Sequence, residues 1–338
     1  MSALSPGELL SVATLPTYLR RRGLLGDGVP ARVTALGGGV SNVVLAVAAG
    51  DQRMVVKQAL PRLRVADEWL AKRERVITEA EALRTAARLT PGAVPAVLDV
   101  DAEACVIIIE HAPPGWQNWK DLLLAGTIHP AVAQRLGMVL GVWHGATSDD
   151  PEVAARFGDS EAFDQLRIDP YYRTVMRRHP ELAPVMTAYL DRMLATHRCL
   201  VHGDFSPKNV LVGDDGLWVL DFEVAHMGDP VFDVAFMLNH LLLKAIHRPV
   251  DRQAYKQAAR RFWDTYQHAV PAGLCPPVHY LLGHLACLMV ARVDGKSPAE
   301  YLTPPEQRRA WALGTALLTN PPDQVMDAWQ LLEETART

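Results

Sequence analysis

Asp204, Asn209 and Asp221 have the side-chain types and the spacing that phosphoryl transfer requires. They lie in one stretch, VHGDFSPKNVLVGDDGLWVLDFE, which runs from Val201 to Glu223. A phosphoryl group in transfer is dense in negative charge, so its site needs a divalent metal, and Mg2+ prefers hard oxygen ligands. An Asn amide oxygen and an Asp carboxylate supply two of them. A separate carboxylate has to meet the attacking hydroxyl and accept its proton. The local pattern says how these groups are held. Cys199-Leu200-Val201 is an apolar approach to His202-Gly203-Asp204, and Val210-Leu211-Val212 reads as a short strand. Gly213-Asp214-Asp215-Gly216 reads as a turn, and Leu217-Trp218-Val219-Leu220 as a second strand that delivers Asp221. Such a hairpin would bring Asn209 and Asp221 close together, near Asp204.

The order Asp, Asn five residues later, Asp after the next strand parallels the protein-kinase pattern H-R-D-x-x-x-x-N followed by D-F-G. Here His202-Gly203-Asp204 replaces the first triplet and Asp221-Phe222-Glu223 the last. No A-P-E element follows Asp221, which disfavours a protein kinase. With the continuation Gly228-Asp229-Pro230 to Asp233-Val234-Ala235, the stretch resembles the aminoglycoside phosphotransferase superfamily, which includes choline kinases and methylthioribose kinases. The resemblance implies a bilobal, protein-kinase-like α+β fold. Its small N-lobe holds a five-stranded antiparallel sheet and one principal helix, and its larger C-lobe is mainly helical. It also implies an ATP-dependent kinase for a small-molecule hydroxyl, with Asp204 as catalytic base and Asn209 and Asp221 holding Mg2+. Asp233 would buttress the catalytic loop, and Ser206 and Lys208 could touch phosphate.

Stepping upstream, Arg32–Leu36 reads as a strand, Gly37-Gly38-Gly39-Val40-Ser41-Asn42 as a loop, and Val43–Ala48 and Met54–Gln58 as further strands. Glycines let backbone N–H groups approach phosphate closely, so Gly38, Gly39, Ser41 and Asn42 are candidate nucleotide contacts, although the run lacks the G-x-G-x-x-G spacing. In the family Lys57 would contact the α/β-phosphates. Residues from about Ala66 to Leu89 have helical periodicity, and Glu79 resembles the glutamate that pairs with that lysine. Glu81 is its competitor; residues two apart on a helix point different ways, so only one of them can serve. Pro95–Val100 and Cys105–Glu110 read as a hairpin pair leading to a Pro/Gly-rich boundary, Glu110-His111-Ala112-Pro113-Pro114-Gly115. This divides the chain into residues 1–110, a hinge at 111–115, and 116–338. In kinase-like folds adenine bonds to hinge backbone, which makes the Glu110 carbonyl and the Ala112 N–H the candidates.

Ser5-Pro6-Gly7-Glu8 reads as the start of a helix reaching about Arg22. Beyond the hinge, helices are expected over Trp119–Ala125, Pro130–Thr147, Phe163–Leu166, Tyr171–Arg178, Leu182–Thr196, Val231–His247, Asp251–His268 and Val278–Arg292. His144 reads as a core histidine. Ser297-Pro298-Ala299-Glu300 reads as a capping box opening another helix, and Thr303-Pro304-Pro305-Glu306 repeats the pattern. Capping leaves Arg292 and Asp294 unexplained: they are either contacts to a polar acceptor or a surface ion pair.

At 338 residues, 49% hydrophobic and 21% charged, the chain is globular in type. A formal net charge of −4 offers no basic footprint for nucleic acid. The four cysteines are far apart and form no C-x-x-C, which points to reduced thiols. With no signal-type N-terminus and no apolar run of membrane-spanning length, a cytoplasmic protein is expected, as monomer or homodimer, with ATP and a small acceptor as its partners. A ribose-like sugar, an amino alcohol or a hydroxyacyl compound all fit. A polycationic aminoglycoside fits less well, since charge in the last third is roughly balanced. The alternative is a kinase-like nucleotide-binding scaffold without turnover; the presence of Asp204, Asn209, Asp221 and Lys57 argues against it.

Overall fold

Alternation with period two builds the sheet of the first unit. β1 (Arg32–Ala35), β2 (Asn42–Ala49), β3 (Gln52–Ala59), β4 (Val97–Asp101) and β5 (Val106–Glu110) are antiparallel in the order β1-β2-β3-β5-β4. The computed structural model describes residues 8–37, 42–60, 72–214 and 216–335. Gly38, Gly39 and Ser41 of the expected phosphate loop therefore lie outside the described residues, as do Ser5, Pro6 and Gly7. The chain divides into two units, Met1–Trp116 with Leu220–Val224, and Gln117–Val219 with Ala225–Thr338.

In the first unit every second residue, Leu45, Val47, Met54, Val56, Val106 and Ile108, enters one apolar cluster with Leu15, Tyr18 and Leu19 of α1 (Leu15–Arg21). Burying that face of the sheet is the main stabilising term here. α1 is shorter than expected. The Ser11 and Thr14 hydroxyls bond to each other and each accepts the other residue's N–H in a turn, and Pro16 sits in the first helical turn. Upstream, the Gln58 side chain takes the Leu10 N–H at 2.7 Å and donates to the Glu8 carbonyl at 2.9 Å, so this segment is spoken for by the sheet. α2 (Arg75–Leu89) buries Val76, Glu79, Ala80, Leu83 and Ala86, the three-and-four spacing of one helix face.

The second unit is mainly helical. Two short strands, β6 (Gln117–Asn118) and β7 (Cys199–Val201), frame a hairpin of β8 (Val210–Gly213) and β9 (Gly216–Val219), followed by β10 (His226–Gly228). β8 pairs with β6 and β9, with Gly213 opposite Gly216 across the turn, and β7 pairs with β10. The helices are α3 (Trp119–Leu124), α4 (Pro130–Ala146), α5 (Pro151–Phe157), α6 (Glu161–Phe163), α7 (Thr174–Arg178), α8 (Ala183–Leu194), α9 (Val231–His247), α10 (Arg252–Ala269), α11 (Val278–Asp294), α12 (Pro304–Thr319) and α13 (Ala328–Thr335). Between α6 and α7 a wide π-type helix spans Asp164–Arg173, with Pro170 inside it. Two short helices, Phe163–Leu166 and Tyr171–Arg178, are the expectation. Instead the turn widens, because Pro170 has no N–H to give and the Thr174 N–H reaches back to the Asp169 carbonyl.

The capping reading also needs correction. No helix starts at Ser297; α12 starts after Thr303, whose hydroxyl and Glu306 make the capping box. Ser297 and Glu300 are engaged elsewhere, as described below. All four cysteines are free thiols. Among the described residues no helix is long and apolar enough to cross a membrane.

α4 and α10 pack closely because three glycines line one face of α4. A Cβ on Gly137 would stand 2.3 Å from the Phe262 carbonyl, one on Gly141 2.6 Å from Ala269 Cβ, and one on Gly145 2.8 Å from Pro271 Cδ. Gly137→Ala meets rigid backbone, so it should destabilise the protein by about 1–3 kcal/mol and lower the melting temperature by several degrees. Gly273→Ala, where a Cβ meets nothing within 4 Å, should change stability by less than about 0.5 kcal/mol. Superposed melting curves for Gly137→Ala and wild type would refute this helix contact.

Candidate active site

Lys57 is placed by β3, where it pairs with Val44 on one side and Ile107 on the other. It is buried, and its Nζ donates to Glu79 Oε1 at 2.6 Å and to Asp221 Oδ1 at 2.7 Å. Of the two glutamates on α2, the structure puts Glu79 on the lysine and leaves Glu81 paired with Arg84 at the surface. Burial favours a neutral amine at Lys57, but the charges of Asp221, Glu79 and Glu223 outweigh it and push the group up. Burial likewise pushes Glu79 up, to about 7, and the ammonium pulls it back only in part. Glu79 Oε2 makes no hydrogen bond among the described residues.

Asp221 itself has φ 70, a left-handed backbone that a branched carboxylate side chain adopts only at a cost. Its segment is fastened through Glu223, whose Oε2 accepts from Asn42 Nδ2 at 2.9 Å and Arg75 Nε at 3.1 Å. Asn42, expected in the phosphate loop, is thus a buried anchor of the Asp221 segment and not an open loop side chain. Among the described residues this network joins three carboxylates (Glu79, Asp221, Glu223) to two cations (Lys57, Arg75). The oxygen donor of Asp221 suits a hard divalent cation. Among the described residues no group of three or more His, Cys, Asp and Glu is placed to hold an ion alone. An ion here would take the rest of its ligands from phosphate and water, which is the habit of Mg2+.

At the end of β5, Glu110 pairs with Met54 across the sheet, and its N–H bonds to the Ala96 carbonyl at 2.9 Å. His111 Nδ1 lies 2.7 Å from the Ala112 carbonyl. Both hinge residues belong to the first unit, which runs on to Trp116.

In the second unit the loop after β7 carries Asp204. Its shape comes from Asp233 at the start of α9, fully buried, which accepts the His202 N–H at 2.7 Å and the Gly203 N–H at 2.8 Å. Gly203 has φ 75, which explains a glycine where protein kinases carry arginine. His202 Nδ1 accepts the Asp204 N–H at 3.0 Å. His144 is indeed a core residue, with Nε2 3.3 Å from Asp233 and Nδ1 3.0 Å from the Tyr266 hydroxyl. Asn209 Nδ2 donates to Asp204 Oδ2 at 2.7 Å and to its carbonyl at 3.0 Å, which leaves Oδ1 as the oxygen for a cation.

Two cations also reach Asp204. Arg167 Nη2 lies 2.7 Å from Oδ2, with Nε on the Gly203 carbonyl at 3.0 Å, and Lys208 Nζ lies 2.9 Å from the same Oδ2. The Ser206 hydroxyl is buried without a partner. Arg167 was not foreseen. It sits one turn before Tyr171 on the π-type segment, and the only signal for it in the sequence is Pro170, a proline inside a helical pattern.

Arg292 and Asp294 part company. Arg292 is buried and donates to the Tyr171 hydroxyl at 3.4 Å, to Ser297 Oγ at 2.9 Å and to the Ser297 carbonyl. Asp294 is on the exposed side, held by Arg178 at 2.9 Å and His179 at 2.6 Å. Residues two apart on a helix point roughly 200° apart, so of the two alternatives the Arg292–Asp294 ion pair does not form.

With this geometry in hand, comparison with known proteins is informative. The model of the phosphotransferase enzyme family matches residues 32–253. Methylthioribose kinase of Yersinia enterocolitica is 29% identical over 304 residues, covering 78% of this chain and 76% of that protein. Methylthioribose kinase 2 of Oryza sativa is 25% identical over 287 residues, covering 73% and 67%. Spectinomycin phosphotransferase, solved with ADP and spectinomycin, aligns with TM-score 0.51 at 10% identity over 97% of this chain and 100% of that one. The amicoumacin kinase hAmiN, solved with AMP-PNP, Ca2+ and Ami, aligns with TM-score 0.52 at 15% identity over 88% and 91%. These likenesses carry the protein-kinase-like α+β fold, and the family model spans most of the chain. The chain therefore belongs to the phosphotransferase enzyme family and is a small-molecule kinase.

Proposed function

We propose that this kinase uses ATP with Mg2+ to phosphorylate a hydroxyl of a small sugar, of the ribose type that its methylthioribose kinase relatives are named for. The observation that carries the nucleotide part is Lys57, buried and held between Glu79 and Asp221. A fixed cation of this kind suits the α/β-phosphates, and Glu79 prevents it from swinging away. The hinge residues Glu110 and Ala112 would meet the adenine through their backbone. Asn209 Oδ1 and Asp221 would hold Mg2+, which when bound offsets the charge building up on the phosphoryl oxygens.

Asp204 meets the acceptor hydroxyl and takes its proton as the new O–P bond forms and the bond to ADP breaks. Asn209, Arg167 and Lys208 fix its carboxylate, so the base is oriented before the acceptor arrives. Asp233 acts on the loop and not on the substrate, since both its oxygens are occupied by backbone N–H groups.

ADP release should be stimulated by 5-methylthioribose or another ribose-type sugar over amino alcohols and aminoglycosides; an amino alcohol as the best acceptor would overturn the sugar assignment. Asp204→Ala should abolish turnover while ATP binding stays within about threefold, because the residue serves the acceptor. A loss of ATP affinity by orders of magnitude would move Asp204 to the nucleotide. Asp221→Asn should weaken Mg2+-ATP binding much more than metal-free ATP binding, and equal losses would take Asp221 out of the metal site. Asp233→Asn should cost both turnover and stability, since one of its two N–H acceptors becomes a donor; wild-type kinetics would show that the loop holds itself.

A further inference from the structure

Two cations buried in the second unit make no salt bridge among the described residues. Arg292 on α11 is 8% exposed, and its described partners are all neutral oxygens, those of Tyr171 and Ser297; its Nε has none. Lys244 on α9 is 1% exposed, and its hydrogen bond is a 3.5 Å contact to the His240 carbonyl one turn back on its own helix. Its Nζ also lies over the Tyr301 ring, 5.2 Å from the centroid, and the Tyr301 hydroxyl has no partner. The acidic side chain whose charge both cations feel is Glu300, and Glu300 is taken by Lys120.

Buried charge without a partner is costly and is kept where something else supplies the missing sign. Here the cost shows on neighbouring groups. Burial, Arg292 and Lys120 push Lys244 down to about 7. Burial pushes His240 well below its usual range, helped by Lys244, Arg292, Lys208 and Lys120. Burial would push the Tyr171 hydroxyl up, but the charges of Arg292 and Arg167 bring it below its usual value. These groups are continuous with the catalytic loop. Tyr171 shares the π-type segment with Arg167, which grips Asp204, and Lys208 both grips Asp204 and acts on His240.

We propose that Arg292 and Lys244, with the Tyr171 and Tyr301 hydroxyls, bind an anionic substituent of the acceptor, so that the substrate is a hydroxyl-bearing sugar carrying a carboxylate or a phosphate. This rests on the reading of Asp204 as the group that meets the acceptor hydroxyl. A planar guanidinium offers a fixed fork to two oxygens, and the ammonium adds a point charge. Ser297 is then a positioning residue: it holds the guanidinium through neutral atoms and leaves its charge unspent.

The test uses the whole protein with D-ribose, D-ribonate, D-ribose 5-phosphate and 5-methylthioribose as acceptors, read by ADP release, and with inorganic phosphate and acetate as binding probes read by thermal shift. One or both anionic sugars should exceed D-ribose in kcat/KM by tenfold or more, and which one does so separates carboxylate from phosphate. Arg292→Gln and Lys244→Met should each raise the KM of that acceptor tenfold or more and leave the ATP KM within twofold. Lys244→Met should also keep or gain melting temperature, since it removes a buried charge, and should lose the stabilisation that phosphate or acetate gives the wild type.

A neutral sugar preferred by wild type and variants alike overturns the anionic subsite and leaves the kinase reading intact. So does a rise in ATP KM, which would place these cations on the nucleotide. If no sugar releases ADP, the thermal shifts decide: stabilisation by phosphate or acetate that disappears in both variants supports the subsite, and its absence in wild type overturns it. Retained turnover in Asp204→Ala would overturn the kinase mechanism itself.

Discussion

The carboxylate of Asp233 accepts two consecutive backbone N–H groups from inside the protein, and the loop that bears Asp204 takes its shape from that contact. Backbone donors buried in a loop have no ladder to join, so without Asp233 they would be orphaned. One side chain resolves both, and it does so from the first turn of α9, a helix buried almost along its whole length. His144 on α4 reaches the same carboxylate through Nε2 and is itself bonded through Nδ1 to the Tyr266 hydroxyl on α10. Those two helices meet closely because α4 presents Gly137 and Gly141 to α10. The shape of the Asp204 loop is therefore tied to helix packing remote from Asp204 itself.

A second economy of charge runs through both units. In the first, one ammonium serves both Glu79 and Asp221. In the second, the hydrogen bonds of Arg292 and Lys244 among the described residues go to neutral oxygens, and the carboxylate whose charge reaches them, Glu300, is paired with Lys120. The carboxylates at Lys57 suit the cation proposed to come with the nucleotide, and the cations of the second unit suit the anion proposed on the acceptor; burying such charge opposes folding unless a partner meets it.

The legible part of the sequence was the part governed by short-range rules. The hairpin of β8 and β9 follows from two apolar runs flanking a Gly/Asp turn, and the observed pairing of Gly213 with Gly216 is what that turn permits. The five strands follow from short apolar runs between turn residues, and the rotation of a helix says that Glu79 and Glu81 cannot share a role, while the choice of Glu79 came from the family resemblance. Other features were decided by competition between distant segments. Ser297-Pro298-Ala299-Glu300 has the composition of a capping box, yet Arg292 claims Ser297 and Lys120 claims Glu300, so the helix begins at Thr303-Pro304 instead. A helix reaching back to Ser5 was as reasonable by composition, but Gln58 captures the backbone of Glu8 and Leu10.

By itself the amino-acid sequence determined the class of fold and singled out Lys57, Asp204, Asn209 and Asp221 as candidates, because motif spacing along a strand-turn-strand fixes which groups the local backbone presents. Tertiary structure alone decided what surrounds them. Arg167 reaches Asp204 only because the helix around Pro170 widens, and Asn42 is an anchor only because Glu223, far along the chain, returns to it. Arg292 and Asp294, two residues apart, end in opposite settings, one buried beside Tyr171 and one in a surface ion pair. Whether a charge is met or unmet depends on partners more than a hundred residues away, and no local pattern records that.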